Sequence, residues 1–333
     1  MSLYPESLGD PIVCDMTLPQ SPAGPLETPE FDAVMQARAN VGVTFTSVTI
    51  ASDELAGGEI IRWIGAARQY FLSHPSRFVF VEKATDIEAA KAAGKMAVNL
   101  HFQGSNPLMG DLNLVEVYRR LGVGHMLLAY NYRNLSGDGC HETQDAGLSQ
   151  FGKELVSEMQ RVGMIVDLSH TGTRTAMDAI EISTRPLIIS HSNSKVVFNH
   201  DRNIPDELVK AVAATGGVIG VNGVGLFLSA ARHDISAEVI ASHAQHFADL
   251  VGPNHVGIGL DSVPDVRYFL EQFARKNTSR YRVGGYLKSK TPQFAGPDVI
   301  PQLAATLLTR GWSAEDVRGF LGKNWLRVMQ TSW

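Results

Sequence analysis

A chain of 333 residues, 44% hydrophobic and 19% charged, carries enough apolar material for one large α/β core and none of the bias of a disordered chain. Its net charge of −5, with no basic block, gives no footing for nucleic acid. The two cysteines, Cys14 and Cys140, form neither a disulfide framework nor a zinc ribbon, no stretch approaches the ~18 apolar residues of a membrane span, and the first residues lack the basic start and apolar run of a signal peptide, so a cytoplasmic protein without a membrane partner is expected.

In chain order, apolar runs alternate with segments of helical periodicity. Ile12–Leu18 reads as a first strand, stopped by Pro19, and the proline-rich residues 20–30 as a loop. Val41–Ile50 is a second strand, Glu54–Leu72 a helix and Phe78–Val81 a short extra strand. Ile87–Ala93 is helical, Lys95–Gln103 a third strand, Leu112–Leu121 a helix capped by Gly122, and His125–Asn131 a fourth strand. A polar loop leads to a helix over Leu148–Val162. Met164–Leu168 and Pro186–Ile189 are the fifth and sixth strands, separated by a helix from Thr173 to about Ile182. Pro205–Ala214 and Ala237–Leu250 are helices around a seventh strand, Gly217–Val224, and His255–Asp261 is the eighth.

Eight strand–helix repeats, with strands apolar on both faces, predict an α/β fold of the (β/α)8 TIM-barrel type, a single domain over residues 1–333. The rival open doubly wound sheet lacks its glycine-rich loop after the first strand. Residues 263–295 interrupt the rhythm with Tyr268, Phe269, Phe273, Tyr281, Tyr286 and Phe294 among many charges. Such an insertion reads as a lid, as a contact between subunits of a homo-oligomer, or as a solvated excursion. Two helices close the chain, one over Val299–Leu308 and one starting at the capping sequence Ser313-Ala314-Glu315-Asp316.

The fifth and sixth strands each end in Ser-His, at Ser169-His170 and Ser190-His191. They belong to one βαβ unit, so both histidines fall on the C-terminal rim, where barrel enzymes keep their chemistry. Two imidazoles there are candidate ligands of a zinc-like ion. Asp261, at the eighth tip, is placed to act as general base. Asp167, inside an apolar strand, either orients a ligand histidine or bonds to backbone. Arg202 lies in the loop after the sixth strand, where a guanidinium either grips a substrate carboxylate or pairs with Asp201 or Asp206 on the surface. His243 and His246 share a face of an outer helix and read as surface residues. Cys14 reads as a buried thiol.

With these residues laid out, the phrases YRRLGVGHMLLAYN, FGKELVSEMQRVGMIVDLSHTG, PLIISHSNS, DRNIPDELV, GGVIGVNG and HVGIGLDS resemble the renal (membrane) dipeptidase family of the amidohydrolase superfamily. The resemblance implies a (β/α)8 barrel and a two-zinc site that hydrolyses dipeptides. It makes His170 and His191 the ligands of one zinc, Arg202 the carboxylate anchor and Asp261 the catalytic aspartate. Three positions depart from it. Asp15-Met16-Thr17 replaces the His-x-Asp of the first strand, Gln103 replaces the bridging glutamate, and Tyr130 replaces a substrate-contacting histidine. The resulting expectation is a metal-dependent amide hydrolase with at most one tightly held zinc. Its metal candidates are His170, His191, Asp15 and Gln103, its catalytic candidates Asp261 and Tyr130, and its substrate contacts Arg202 and Tyr130. The substrate is a small carboxylate-bearing amide such as a dipeptide or N-acyl amino acid. The alternative is a non-catalytic small-molecule binder on a degenerate barrel.

Overall fold

The structure, a computed structural model, describes residues 3–19, 28–54, 57–231, 233–263 and 293–333. The insertion's Tyr268, Phe269, Phe273, Tyr281 and Tyr286 lie outside the described residues. Among the described residues, nine parallel strands form one sheet: β1 (Cys14–Leu18), β2 (Phe45–Ser52), β3 (Phe78–Phe80), β4 (Met96–Gln103), β5 (Val123–Leu127), β6 (Ile165–Asp167), β7 (Ile188–Ile189), β8 (Val218–Val221) and β9 (Val256–Ile258). Eight of them run in the order β1-β2-β4-β5-β6-β7-β8-β9, and β3 pairs outside this path on β4. The helices that follow them are α1 (Pro29–Asn40), α2 (Gly58–Ser73), α3 (Thr85–Ala92), α4 (Asn113–Arg120), α5 (Gln150–Val162), α6 (Thr173–Glu181), α7 (Asp206–Ala214), α8 (Gly225–Leu228), α9 (Ala237–Val251) and α10 (Val299–Thr309). The chain ends in α11 (Ala314–Arg318), a π turn over Gly319–Lys323 and α12 (Asn324–Ser332). This is the nearly closed (β/α)8 barrel that the alternation predicts.

The seam between β1 and β9 is held by a side chain. The Asp15 carboxylate accepts from the Leu260 backbone N–H at 2.9 Å and faces the buried Arg38 guanidinium of α1 at 3.5 Å. Its direction follows from the register. Asp15 pairs with Thr46, one residue off the Ser47 and Thr49 row that points into the barrel, and the register shifts between Asp15 and Leu18. A one-residue offset reverses the face on which a strand side chain lies.

The barrel floor is apolar. Trp325 from α12 packs among Cys14, Met16, Phe45, Ile165, Ile188 and Val218, and its indole N–H donates to Ile258 O at 3.1 Å. Gly257 passes so close to this ring that a Cβ there would meet it at 2.3 Å. The floor blocks the N-terminal end and leaves polar side chains to the opposite rim.

Local departures from the sequence reading have local causes. Helix α1 follows residues read only as a loop; Thr28 Oγ1 accepts from the Phe31 N–H, Pro29 takes the first turn, and Glu30 and Asp32 face the positive end of the helix. The expected strand over His125–Asn131 stops at Leu127, because the chain leaves the sheet before Asn131 adopts φ 64°. His243 is a correction: it is buried, its Nδ1 accepts from Ser194 N at 3.1 Å, and its Nε2–H donates to Leu228 O at 2.9 Å. Its neighbour His246 is partly exposed and bonds Asp206 at 2.8 Å.

Candidate active site

His170 and His191 meet at the C-terminal rim, with their Nε2 atoms 3.0 Å apart. The outer nitrogens are both held. His170 Nδ1 lies 2.7 Å from Asn131 Oδ1, which can only accept, so the ring proton sits on Nδ1 and the Nε2 lone pair faces the partner ring. His191 Nδ1 lies 2.7 Å from Ser190 Oγ and 3.1 Å from Thr17 Oγ1, hydroxyls able to serve either tautomer. Burial, with the Arg202 cation nearby, holds both imidazoles well below the usual histidine pKa, so they are neutral. Asn131, His170 and Asp261 all sit in left-handed backbone, φ 64°, 61° and 55°. Such conformations are uncommon outside glycine and gather where a rim loop must turn a side chain inward.

Arg202 lies beneath this pair at 2% exposure. It donates to His191 O at 2.9 Å and weakly to Ser192 Oγ at 3.4 Å, while Nε has no partner among the described residues. Neither Asp201 nor Asp206 pairs with it, and no described carboxylate lies within ion-pair distance. A buried guanidinium held by two neutral acceptors is short of an anion.

Asp261 has its carboxyl pushed up to about 7, by burial first and by the charge of Asp15, against the opposing pull of Arg202. Tyr130 stacks on His170 with ring centroids 4.3 Å apart. Burial, with Glu54 and Asp261 nearby, keeps its phenol protonated and therefore a donor. Its backbone N–H donates to Asp53 at 2.8 Å, which anchors the loop.

The other two metal candidates are placed differently. Asp15 is spent on the Leu260 amide and Arg38 and does not join the histidines. Gln103 sits at the tip of β4 and donates through Nε2 to Thr49 Oγ1 at 3.2 Å. Among the described residues no three His, Cys, Asp or Glu side chains converge as a metal shell. A two-zinc centre therefore does not fit them. One ion fits only in part. Two zinc ligands at about 2.0–2.1 Å stand roughly 3.3 Å apart at a tetrahedral angle, close to the observed separation, but a catalytic zinc takes three protein ligands.

Several polar residues of the interior carry no sequence motif. Asn131 and Thr17 set the histidine rings. Asp167 bonds His125 Nδ1 at 3.0 Å and accepts from the Ser169 and Ser190 amides at 2.9 and 3.1 Å. It thus holds a non-ligand histidine together with backbone. His101 and His125 stack at 4.4 Å between Ser47 and Thr49. Histidines inside apolar strands are the only trace of this row in the sequence.

The family model of the membrane dipeptidases, peptidase family M19, matches residues 26–273. The chain belongs to that family. An uncharacterized dipeptidase of Schizosaccharomyces pombe is 27% identical over 315 residues, 89% of this chain and 71% of the relative. The dipeptidase tcpJ of Claviceps purpurea is 29% identical over 263 residues, 77% of this chain but 56% of the relative, so this membrane-dipeptidase homologue spans little more than half of that protein. The crystal structure of an amidohydrolase from Pseudomonas aeruginosa is 29% identical and superposes with a TM-score of 0.87 over 98% of each chain. Membership places the chain among metal-dependent hydrolases. No described helix is long and apolar enough to cross a membrane.

Proposed function

We propose that this family member is a zinc-dependent, dipeptidase-like amide hydrolase of the cytoplasm, acting on a small carboxylate-bearing substrate such as a dipeptide or an N-acyl amino acid. The observation that carries the reading is Arg202, a buried guanidinium with no described carboxylate partner. A substrate carboxylate supplies the missing anion by charge-assisted hydrogen bonds. His170 and His191 would hold a single zinc ion, which would supply a water of lowered pKa. Asp261 accepts a proton from the attacking water and passes it to the leaving nitrogen, a task for which a carboxyl near 7 is suited. Tyr130 donates its phenolic hydrogen to the oxyanion.

The absence of a third converging ligand among the described residues favours a second reading, a non-catalytic binder of the same carboxylate-bearing molecules. Arg202→Ala tests the shared anchor. Losing a buried charge-assisted contact costs about 2–5 kcal/mol, so kcat/KM on a dipeptide falls by roughly 30-fold or more. A substrate amidated at its C-terminus loses the same factor with the wild type. An unchanged kcat/KM in Arg202→Ala assigns the guanidinium to the scaffold.

A further inference from the structure

A continuous row of buried polar side chains runs down one side of the barrel from Gln103. Its links are Gln103 Nε2 to Thr49 Oγ1 at 3.2 Å, Thr49 Oγ1 to His101 Nε2 at 2.9 Å, His101 Nδ1 to Ser47 Oγ at 2.9 Å, Ser47 Oγ to His125 Nε2 at 3.0 Å and His125 Nδ1 to Asp167 Oδ2 at 3.0 Å. The far end fixes the direction of every proton. Asp167 receives two backbone amides on its other oxygen, and its hydrogen bonds hold its carboxyl below the usual range, so it is an acceptor only. His125 must then carry hydrogen on Nδ1. Burial keeps His101 neutral, and with a single proton on His125 its Nε2 accepts from Ser47, Ser47 accepts from His101 Nδ1–H, and His101 Nε2 accepts from Thr49. The Thr49 oxygen is left needing a donor, and the Gln103 amide N–H provides it.

The opposite orientation of the Gln103 amide fails on the same count. Oε1 facing Thr49 would draw the threonine hydrogen to itself. His101 would have to donate through Nε2 and accept from Ser47 through Nδ1, and the Ser47 oxygen would then need a donor that a singly protonated His125 cannot supply. The observed orientation of Gln103, with Nε2 on Thr49, is thus the one that completes the row running to Asp167 when each ring carries one proton. No described group bonds its Oε1, and the residue sits at the barrel mouth at 5% exposure.

We infer that Gln103 is a substrate-positioning residue whose Oε1 is held toward the mouth by the Thr49–His101–Ser47–His125–Asp167 chain, to accept an N–H of the substrate's amide or amino group. This rests on the amide-hydrolase reading. It also gives a reason for glutamine here, because an ionised carboxylate cannot donate into the chain.

Two readouts test it. Long-range 1H–15N correlation on 15N-histidine protein reports each ring's tautomer. Both His101 and His125 carry hydrogen on Nδ1 in the wild type, and Gln103→Glu switches His101 to Nε2–H. Finding His101 as Nε2–H in the wild type, or unmoved by Gln103→Glu, overturns the chain. Calorimetric titration with L-alanyl-L-alanine, in an Asp261→Asn background that prevents turnover, reads the acceptor. Gln103→Met and Thr49→Val each weaken binding about tenfold, and Thr49→Ser restores it. Binding undiminished in Gln103→Met overturns the positioning role while leaving the hydrolase reading intact. No binding of either L-alanyl-L-alanine or N-acetyl-L-alanine by the Asp261→Asn parent removes both, whatever the tautomers show.

Discussion

At the residue scale, the chemistry turns on how burial treats single charges. Asp261 and Arg202 both lie in the low-dielectric rim, and neither has an ion-pair partner among the described residues. For Asp261 the consequence is visible in pH. A general base must be ionised, so kcat/KM rises with pH through an apparent pKa of about 7. Stability moves the other way. The folded carboxyl holds its proton more tightly than the unfolded one, so its stabilising contribution is full below about pH 4 and is lost as pH rises through about 7. Asp261→Asn keeps the shape and tolerates the left-handed backbone. Thermal melts should show this variant gaining on the wild type between about pH 4 and pH 8, with a constant difference contradicting the shifted carboxyl. The two Ser-His pairs made the meeting of His170 and His191 legible in the sequence, because strand-tip position follows from alternation alone, whereas spacing left Arg202 open between a substrate anchor and a surface ion pair. Their partners Asn131 and Thr17 were not legible as such. A neutral amide and a hydroxyl acquire meaning only from the ring nitrogen beside them.

At the element scale, β1 shows how a small offset redirects a site. Asp15 pairs with Thr46 and so faces out toward Arg38, and the shift in register that follows it, between Asp15 and Leu18, brings Thr17 instead to His191. Asp15 then serves closure. Burial pushes its carboxyl up despite Arg38, and pulls Arg38 down despite Asp15, so desolvation outweighs attraction at 3.5 Å. Removing one partner strands the other. Arg38→Met should lower unfolding free energy by about 3–5 kcal/mol, and the double variant Arg38→Met, Asp15→Asn should recover most of it. Urea midpoints decide this, and equal losses in the single and double variants would show that Asp15 does not depend on Arg38. Register shifts and bulges leave no compositional mark, which is why element order was readable and this orientation was not. Helix α1 is the converse case: Thr28, Pro29 and the acids after them are an ordinary helix start, hidden by the prolines before it.

At the scale of the whole molecule, a sealed apolar floor and a polar rim divide the barrel into a structural end and a chemical end. Residues that are far apart in sequence, from Thr17 to Asp261, converge only because eight parallel strands finish on one side. That convergence follows from the strand–helix count. The buried row of Ser47, Thr49, His101 and His125 does not, since it depends on which inward positions face one another across strands. Against the family's metal chemistry, the described residues bring two imidazoles and no third ligand to the rim. The decisive measurement is amide cleavage on a panel of dipeptides and N-acyl amino acids, followed by released amine with zinc supplied, for the wild type and Asp261→Asn. The wild type is expected to cleave at least one carboxylate-bearing amide, with the rate reduced at least a hundredfold in the variant. No cleavage by the wild type, or equal cleavage by both, would contradict it.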